Sequence, residues 1–322
     1  MEYTNKTVLV TGAAGFLGSH VCDRLLEQGA HVIGVDSLIT GRKENLSSAL
    51  SRTTFTFIEA DCSTSPRSYL PATVKPDVIF HLASPASPPI YQQFPIDTYL
   101  VNALGTHQLL QYLLTENRQG RFIFASTSEV YGDPKERPQK ESYWGNVNPN
   151  GVRSCYDESK RFGEMVCGVH SRDFGLDVRI VRIFNTYGPR MSPLDGRVIP
   201  NFMMQALKNE PLTIYGDGTQ TRSFCYVDDL IRGILLLGST DSAKNETVNI
   251  GSPTEKTVNE LAEMIQAATH ATGEYVYKPL PSDDPTQRLP DISKAVSLLG
   301  WKLEIDFPTG LEKTLEYFKT QV

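Results

Sequence analysis

Two short runs carry most of the chemistry in this chain: Ser126-Thr127-Ser128-Glu129-Val130-Tyr131-Gly132 and Tyr156-Asp157-Glu158-Ser159-Lys160. Residues four apart on a helix share a face, so Tyr156 and Lys160 set a phenol beside an ammonium. A neighbouring cation favours phenolate and lowers a tyrosine's pKa. That brings Tyr156 towards the range of a useful general base near pH 7. Ser128 and Glu129, on a separate turn, offer a hydroxyl and a carboxylate to the same substrate. Such a pair also arises by chance on exposed helices, and it gains weight only from a cofactor site upstream.

That site opens the chain. Residues 6–10 read as a buried strand, and Thr11-Gly12-Ala13-Ala14-Gly15-Phe16-Leu17-Gly18 turns from it into a helix running to about residue 28. Glycines permit the tight turn and a close approach of backbone to a pyrophosphate at the helix N-terminus. The spacing is G-x-x-G-x-x-G, not G-x-G-x-x-G. A second strand, 31–35, ends on Asp36, placed to take the ribose hydroxyls of an adenosine. A carboxylate there repels a 2′-phosphate, so the expected cofactor is NAD and not NADP. The competing reading, a Gly-rich turn without a ligand, leaves the order of strand, turn, helix, strand and acid unexplained.

The elements that must position these groups alternate in kind. Further strands are expected at 54–59, 77–82, 121–125 and 177–183, with helices at 97–115 and 154–174. Strands alternating with helices imply an α/β fold with a doubly wound parallel (Rossmann) sheet. Such sheets bind ligands beyond the carboxyl ends of their strands. Ala83-Ser84-Pro85 and 126–129 therefore line the crevice, and Asp61 meets the adenine or its ribose. Asn102, inside a helix, is either an ordinary polar residue or a crevice group. Residues 84–95 hold four prolines and suit the stiff wall of a site. The polar stretch 132–150 reads as a functional loop over it.

After residue 183 the texture changes to turn-rich segments around one plausible helix at 198–208. The expected division is a cofactor-binding domain at 1–183, with 229–250 returning to it. A smaller, discontinuous substrate lobe then comes mainly from 184–322.

Composition narrows the function. The chain has 322 residues, 40% hydrophobic and 21% charged, with a net charge of −6. That balance fits a globular protein and argues against general nucleic-acid binding. No apolar run approaches the ~20 residues of a membrane span. The first strand begins almost at once, so no targeting peptide is expected in this sequence. Cys22, Cys62, Cys155, Cys167 and Cys225 are scattered without C-x-x-C spacing, as expected of reduced thiols in a cytoplasmic protein. The six histidines form no ligand motif, so no metal is expected. His81 ends an apolar strand and reads as a hydrogen-bonded histidine. Six arginines between 179 and 232 (179, 182, 190, 197, 222, 232) suit phosphate or carboxylate, or form a solvated face.

Several blocks together carry a family resemblance: TGAAGFLGSH (11–20), HLASPASPP (81–89), ASTSEVYGDP (125–134), YWGNVNPNGVRSCYDESKR (143–161), RIFNTYGPRM (182–191), DGRVIPNF (195–202) and YGDGTQTRSFCYVDD (215–229). They resemble the extended short-chain dehydrogenase/reductase superfamily and, within it, the UDP-glucuronate decarboxylases (UDP-xylose synthases). Ser159 stands where that family commonly has glycine.

The resemblance implies an NAD-dependent homodimer that oxidises C4 of UDP-glucuronate, loses carbon dioxide and returns the hydride. It implies Tyr156 as base, Lys160 as its partner and a holder of the nicotinamide ribose, and Thr127 and Ser128 at the C4 oxygen. Glu129 then positions a water or carries the proton that replaces the carboxyl group. The motif 283–291, with Asp283 and Asp284, implies that Arg288 faces the sugar carboxylate or the diphosphate, unless it pairs with those aspartates. Asn185, Arg197, Val198, Asn201, Tyr215, Gln220 and Arg222 are implied to bind the UDP part. The rivals are a UDP-sugar 4-epimerase, a decarboxylase that releases the 4-keto pentose, and a non-catalytic NAD-binding module.

Overall fold

The computed structural model describes residues 3–280 and 287–322. Seven parallel strands form the central sheet. They are β1 (Thr7–Thr11), β2 (His31–Asp36), β3 (Phe55–Glu59), β4 (Val78–His81), β5 (Arg121–Thr127), β6 (Asp177–Ile183) and a seventh at Thr247–Ile250. Across the sheet they run seventh, β6, β5, β4, β1, β2, β3. Val8, Leu9, Val10, Ile79, Phe80, Ile123 and Phe124 have no exposed surface, as expected of strands covered on both faces. The order reverses between β1 and β4, and a crevice opens above the carboxyl ends of both.

Helix α1 (Phe16–Glu27) buries Val21, Cys22, Leu25 and Leu26, a stripe at helical spacing. The expected helix at 154–174 is found as Ser154–Phe174 and stops at Gly175, in the left-handed conformation. It crosses close over β5: a Cβ on Gly163 would meet the Phe124 ring at 2.5 Å. Only glycine fits there.

Two segments differ from expectation. The helix foreseen at 97–115 runs as Pro95–Leu100, a π-helical turn at Val101–Gly105, and Thr106–Glu116. The proline-rich 84–95 stretch contains a short helix, Pro88–Gln93, whose prolines sit in its first turn, where a missing N–H costs nothing. Between Gly132 and Asn150 the chain has only isolated bridges, Gly132 with Asn146 and Gln139 with Pro290.

Small two-stranded pairs frame the other side of the crevice, among them Leu212–Tyr215 with Tyr275–Lys278 and Thr221–Ser223 with Glu255–Thr257. The C-terminal elements close over the Val227–Ser239 helix. Trp301 is fully buried and its indole donates to the Asp229 carbonyl at 2.8 Å. The other tryptophan, Trp144, is 89% exposed. No helix among the described residues is long and apolar enough to cross a membrane. The five cysteines are free thiols.

Candidate active site

One cavity of about 810 Å³ runs from the glycine turn to the small strand pairs. Its cofactor end is built from backbone. No side chain caps α1 at Gly15, so the first-turn amides are left for an anion. A Cβ on Gly12 would lie 2.7 Å from the Ala83 nitrogen, and one on Gly18 would lie 1.9 Å from the Gly12 carbonyl oxygen. Phe16 and Leu17 complete that wall. The Asp36 carboxylate accepts from the amides of Ala14 (2.9 Å) and Leu38 (2.8 Å) and still faces the cavity. Asp61 lines the same end, where its carboxylate accepts from the Ser63 amide and hydroxyl. These residues fit a dinucleotide.

Asn102 is the exception among the cofactor residues. It does not line the cavity but lies fully buried in the π-helical turn, where its side-chain amide donates to the Ser159 hydroxyl at 3.1 Å. Its side-chain oxygen is buried and has no hydrogen-bond partner among the described residues. His81 is hydrogen-bonded as expected. Its Nε2 donates to the Val101 carbonyl (3.2 Å), which leaves Nδ1 to accept from Thr11 (2.7 Å).

At the centre, Tyr156 and Lys160 are both buried. Lys160 Nζ donates to the Ala125 carbonyl at 2.8 Å and lies 5.9 Å from the Tyr156 ring centre. Contrary to the expectation from spacing, the phenol is not acidified here. Burial pushes its pKa up to about 12, against the lowering by a hydrogen bond to Thr127. Burial likewise brings Lys160 down to about 7, so its own cation is weakened. Helical spacing says who is near, but not how much water has been removed.

That shift carries a stability prediction. A lysine whose folded pKa lies below its unfolded value of 10.5 destabilises the fold. The cost is full below about pH 7 and fades as pH rises to 10.5. Lys160→Met is therefore expected to stabilise the cofactor-free protein by a few kcal/mol at pH 7. Denaturant melts should show that gain shrinking towards pH 10; a gain independent of pH would contradict the assignment.

Charged side chains converge on Glu129 in the cavity wall. Its carboxylate meets Arg153 at 2.5 Å and Arg288 at 3.0 Å. Burial opposes its ionisation, yet the two guanidinium groups hold its pKa at about 2. Arg288 is only 2% exposed and also donates to the Gly132 carbonyl. Asp283 and Asp284, the alternative partners of Arg288, lie outside the described residues. Thr127 and Ser128 line the wall beside Glu129.

Asn185, Arg197, Val198, Asn201, Tyr215, Gln220 and Arg222 all line the far end. Arg197 is held bidentate by Asp195 (2.5 and 2.7 Å). Gln220 donates to the Tyr215 carbonyl at 2.6 Å and Asn201 to the Gly196 carbonyl at 2.8 Å. Of the six arginines, Arg190, Arg197 and Arg222 face the cavity. Arg179 and Arg182 pair inward with Asp177 and Glu164, and Arg232 pairs with Asp229.

Sequence reasoning missed Arg153 and Tyr91. The Tyr91 ring stacks on Tyr156 at 5.0 Å and 2°. Arg153 lies one helical turn before Tyr156, and that spacing was its available signal. Tyr91 has none, being 65 residues away in the chain.

Residues 8–251 match the NAD dependent epimerase/dehydratase family. The chain is similar to UDP-glucuronic acid decarboxylase 1 of Danio rerio, at 44% identity over all of this chain and 74% of that protein. It is 45% identical to UDP-glucuronic acid decarboxylase 6 of Arabidopsis thaliana, over 99% of this chain and 90% of that one. Among solved structures it resembles UDP-glucuronic acid 4-epimerase of Bacillus cereus in complex with UDP-glucuronic acid and NAD. There the TM-score is 0.88 at 31% identity, covering 98% of this chain and all of the other.

Proposed function

The chain belongs to the NAD dependent epimerase/dehydratase family, and we propose that within it this protein decarboxylates UDP-glucuronate to UDP-xylose. The observation that carries the reading is Arg288, buried against Glu129 at 3.0 Å beside the Thr127–Tyr156 pair. A cation there suits a sugar carboxylate, and so a uronate in place of a neutral sugar. A UDP-glucuronic acid 4-epimerase shares that carboxylate, and against it the reading rests on identity: 44–46% to the decarboxylases over nearly all of this chain, against 31% to the epimerase structure.

The chemistry follows from where charge can go. A sugar carboxylate holds its carbon dioxide because the carbanion left behind has no sink. With a carbonyl at C4 it is a β-keto acid, and its loss of carbon dioxide leaves an enolate. NAD, bound along the glycine turn, supplies the hydride acceptor and donor for C4. Tyr156 takes the C4 hydroxyl proton and later returns it, with Thr127 bonded to the phenol and Ser128 beside the same oxygen. Lys160 holds the nicotinamide ribose.

The sugar carboxylate competes with Glu129 for Arg288. Once it wins, Glu129 keeps Arg153 alone, its pKa rises, and it becomes a better carrier of the proton that replaces the carboxyl group. Residues 1–183 with 229–250 serve the cofactor in this scheme, and 184–322 mainly the UDP-sugar. Asn185, Arg197, Asn201, Gln220 and Arg222 bind phosphate and ribose oxygens, and Tyr215 packs on the uracil.

The test is a product assay with UDP-glucuronate and catalytic NAD. UDP-xylose without net reduced cofactor is expected. A product of unchanged mass would make the protein an epimerase, and a 4-keto pentose with stoichiometric NADH would mean the intermediate is released.

A second copy of the chain is the expected partner. Ile96, Tyr99, Leu104, Phe162 and Met165 expose apolar surface on the outer sides of the two packed helical segments. A patch of this kind on paired helices suits an isologous dimer. Light scattering at micromolar concentration should give twice the chain mass; a monomer would refute the dimer. Free, scattered thiols fit a reducing cytoplasm.

A further inference from the structure

Arg288 itself lies on no helix or strand, yet its guanidinium must be placed within a fraction of an ångström to serve a carboxylate. Two fully buried amide side chains, Gln139 and Asn249, account for how its segment is held. The Gln139 side-chain oxygen accepts from the Leu289 amide at 2.8 Å, and its side-chain nitrogen donates to the Glu136 carbonyl at 2.6 Å. Its backbone donates to the Leu289 carbonyl and accepts from the Asp291 amide, each at 2.8 Å. Arg288 is thereby anchored through the residues just after it, Leu289 and Asp291.

Asn249 ties this anchor to the sheet. It sits on the seventh strand, and its amide nitrogen donates to the carbonyls of Gln139 (3.0 Å) and Asp291 (3.2 Å). Its oxygen accepts from the Tyr131 hydroxyl at 2.8 Å. Tyr131 ends the turn that begins at Ser128 and includes Glu129. One side chain therefore joins the turn bearing Glu129, the loop bearing Gln139 and the segment bearing Arg288. Buried amides with this many partners fix one geometry, because each broken bond leaves a costly orphan.

We propose that Gln139 and Asn249 are positioning residues that set Arg288 for the carboxylate of the substrate, and so set the preference for a uronate over the pentose. The proposal rests on the reading of Arg288 given above.

The experiment compares UDP-glucuronate turnover with UDP-xylose binding, since the pentose has no carboxylate. Gln139→Met keeps length and removes both side-chain bonds. It is expected to lower kcat/KM for UDP-glucuronate ~10–100-fold, the cost of misplacing a group by about an ångström. UDP-xylose affinity should stay within about twofold by the same argument. Gln139→Glu keeps the acceptor for the Leu289 amide but can replace the donor to the Glu136 carbonyl only when its carboxyl is protonated, so it should restore activity towards acidic pH and not at alkaline pH. Equal loss on both ligands, no loss at all, or failure of Gln139→Glu to rescue at acidic pH would each overturn the proposal.

Arg288→Ala, run in parallel, separates the two ideas. If it leaves the preference unchanged, the reading of Arg288 fails. If it abolishes the preference while folded Gln139→Met does not, only the positioning role fails. Should Gln139→Met not fold, hydrogen exchange on the unmutated protein decides. The Leu289 and Asp291 amides should exchange as slowly as those of Thr247–Ile250, and exchange at the rate of exposed turns would overturn the clasp.

Discussion

Tyr156→Phe is expected to abolish turnover while leaving the fold and the UDP-sugar affinity nearly intact. The ring remains, so its stack on Tyr91 at 5.0 Å is kept. What goes is the hydroxyl that bonds Thr127 and that must take the C4 proton. Positioned acid–base groups contribute ~10²–10⁴-fold, equivalent to about 3–5 kcal/mol of barrier. Oxidation precedes decarboxylation in the proposed order, so single-turnover mixtures should contain neither NADH nor carbon dioxide. A rate within tenfold of the unmutated protein would place the base elsewhere. Carbon dioxide without prior reduction of cofactor would overturn the order itself.

Arg288→Ala is expected to be the most selective lesion. It removes the proposed partner of the sugar carboxylate and leaves Glu129 with Arg153 alone. The kcat/KM for UDP-glucuronate should fall ~10²–10³-fold, the scale of a lost buried charge pair. Lysine should rescue only in part, for want of a second parallel donor. The sign of the pH effect is fixed as well. Arg288 helps hold Glu129 at about 2, so its loss raises that pKa, and any acidic limb due to Glu129 should move to higher pH. Breaking the pair also costs stability, and a thermal melt must accompany the kinetics. If Arg288→Ala decarboxylates normally while Tyr156→Phe is dead, the oxidation chemistry stands and the carboxylate lies elsewhere.

What the sequence disclosed depended on range. The glycine turn, Asp36 and the Ser154–Phe174 helix announce themselves within a few residues, through spacing and caps. The strands of the main sheet were legible for the same reason, as apolar runs bounded by turns. The π-helical turn at Val101–Gly105 leaves no local mark, since it answers to the close crossing of the Ser154–Phe174 helix. The placement of Asn102 followed from it, with the Ser159 hydroxyl as the group that captures its amide. Tyr91 on Tyr156 and Asn249 on Tyr131 join residues far apart in the chain, beyond the reach of periodicity. The ionisation of Tyr156 and Lys160 depended on how dry their surroundings are, which only packing decides.

The contrast between Trp301, sealed in the core, and Trp144, almost wholly in water, gives the protein two built-in optical reporters. The sequence holds no other tryptophan, so intrinsic emission divides between a blue-shifted band and a red-shifted, quenchable one. Trp144 rides on the Gly132–Asn150 loop, and its carbonyl accepts from Arg161 of the Ser154–Phe174 helix at 2.7 Å. Acrylamide should extinguish the red component at once and reach the blue one only on unfolding. Quenching of the red band thus monitors the Gly132–Asn150 loop, and the blue band the integrity of the fold, in one unlabelled sample.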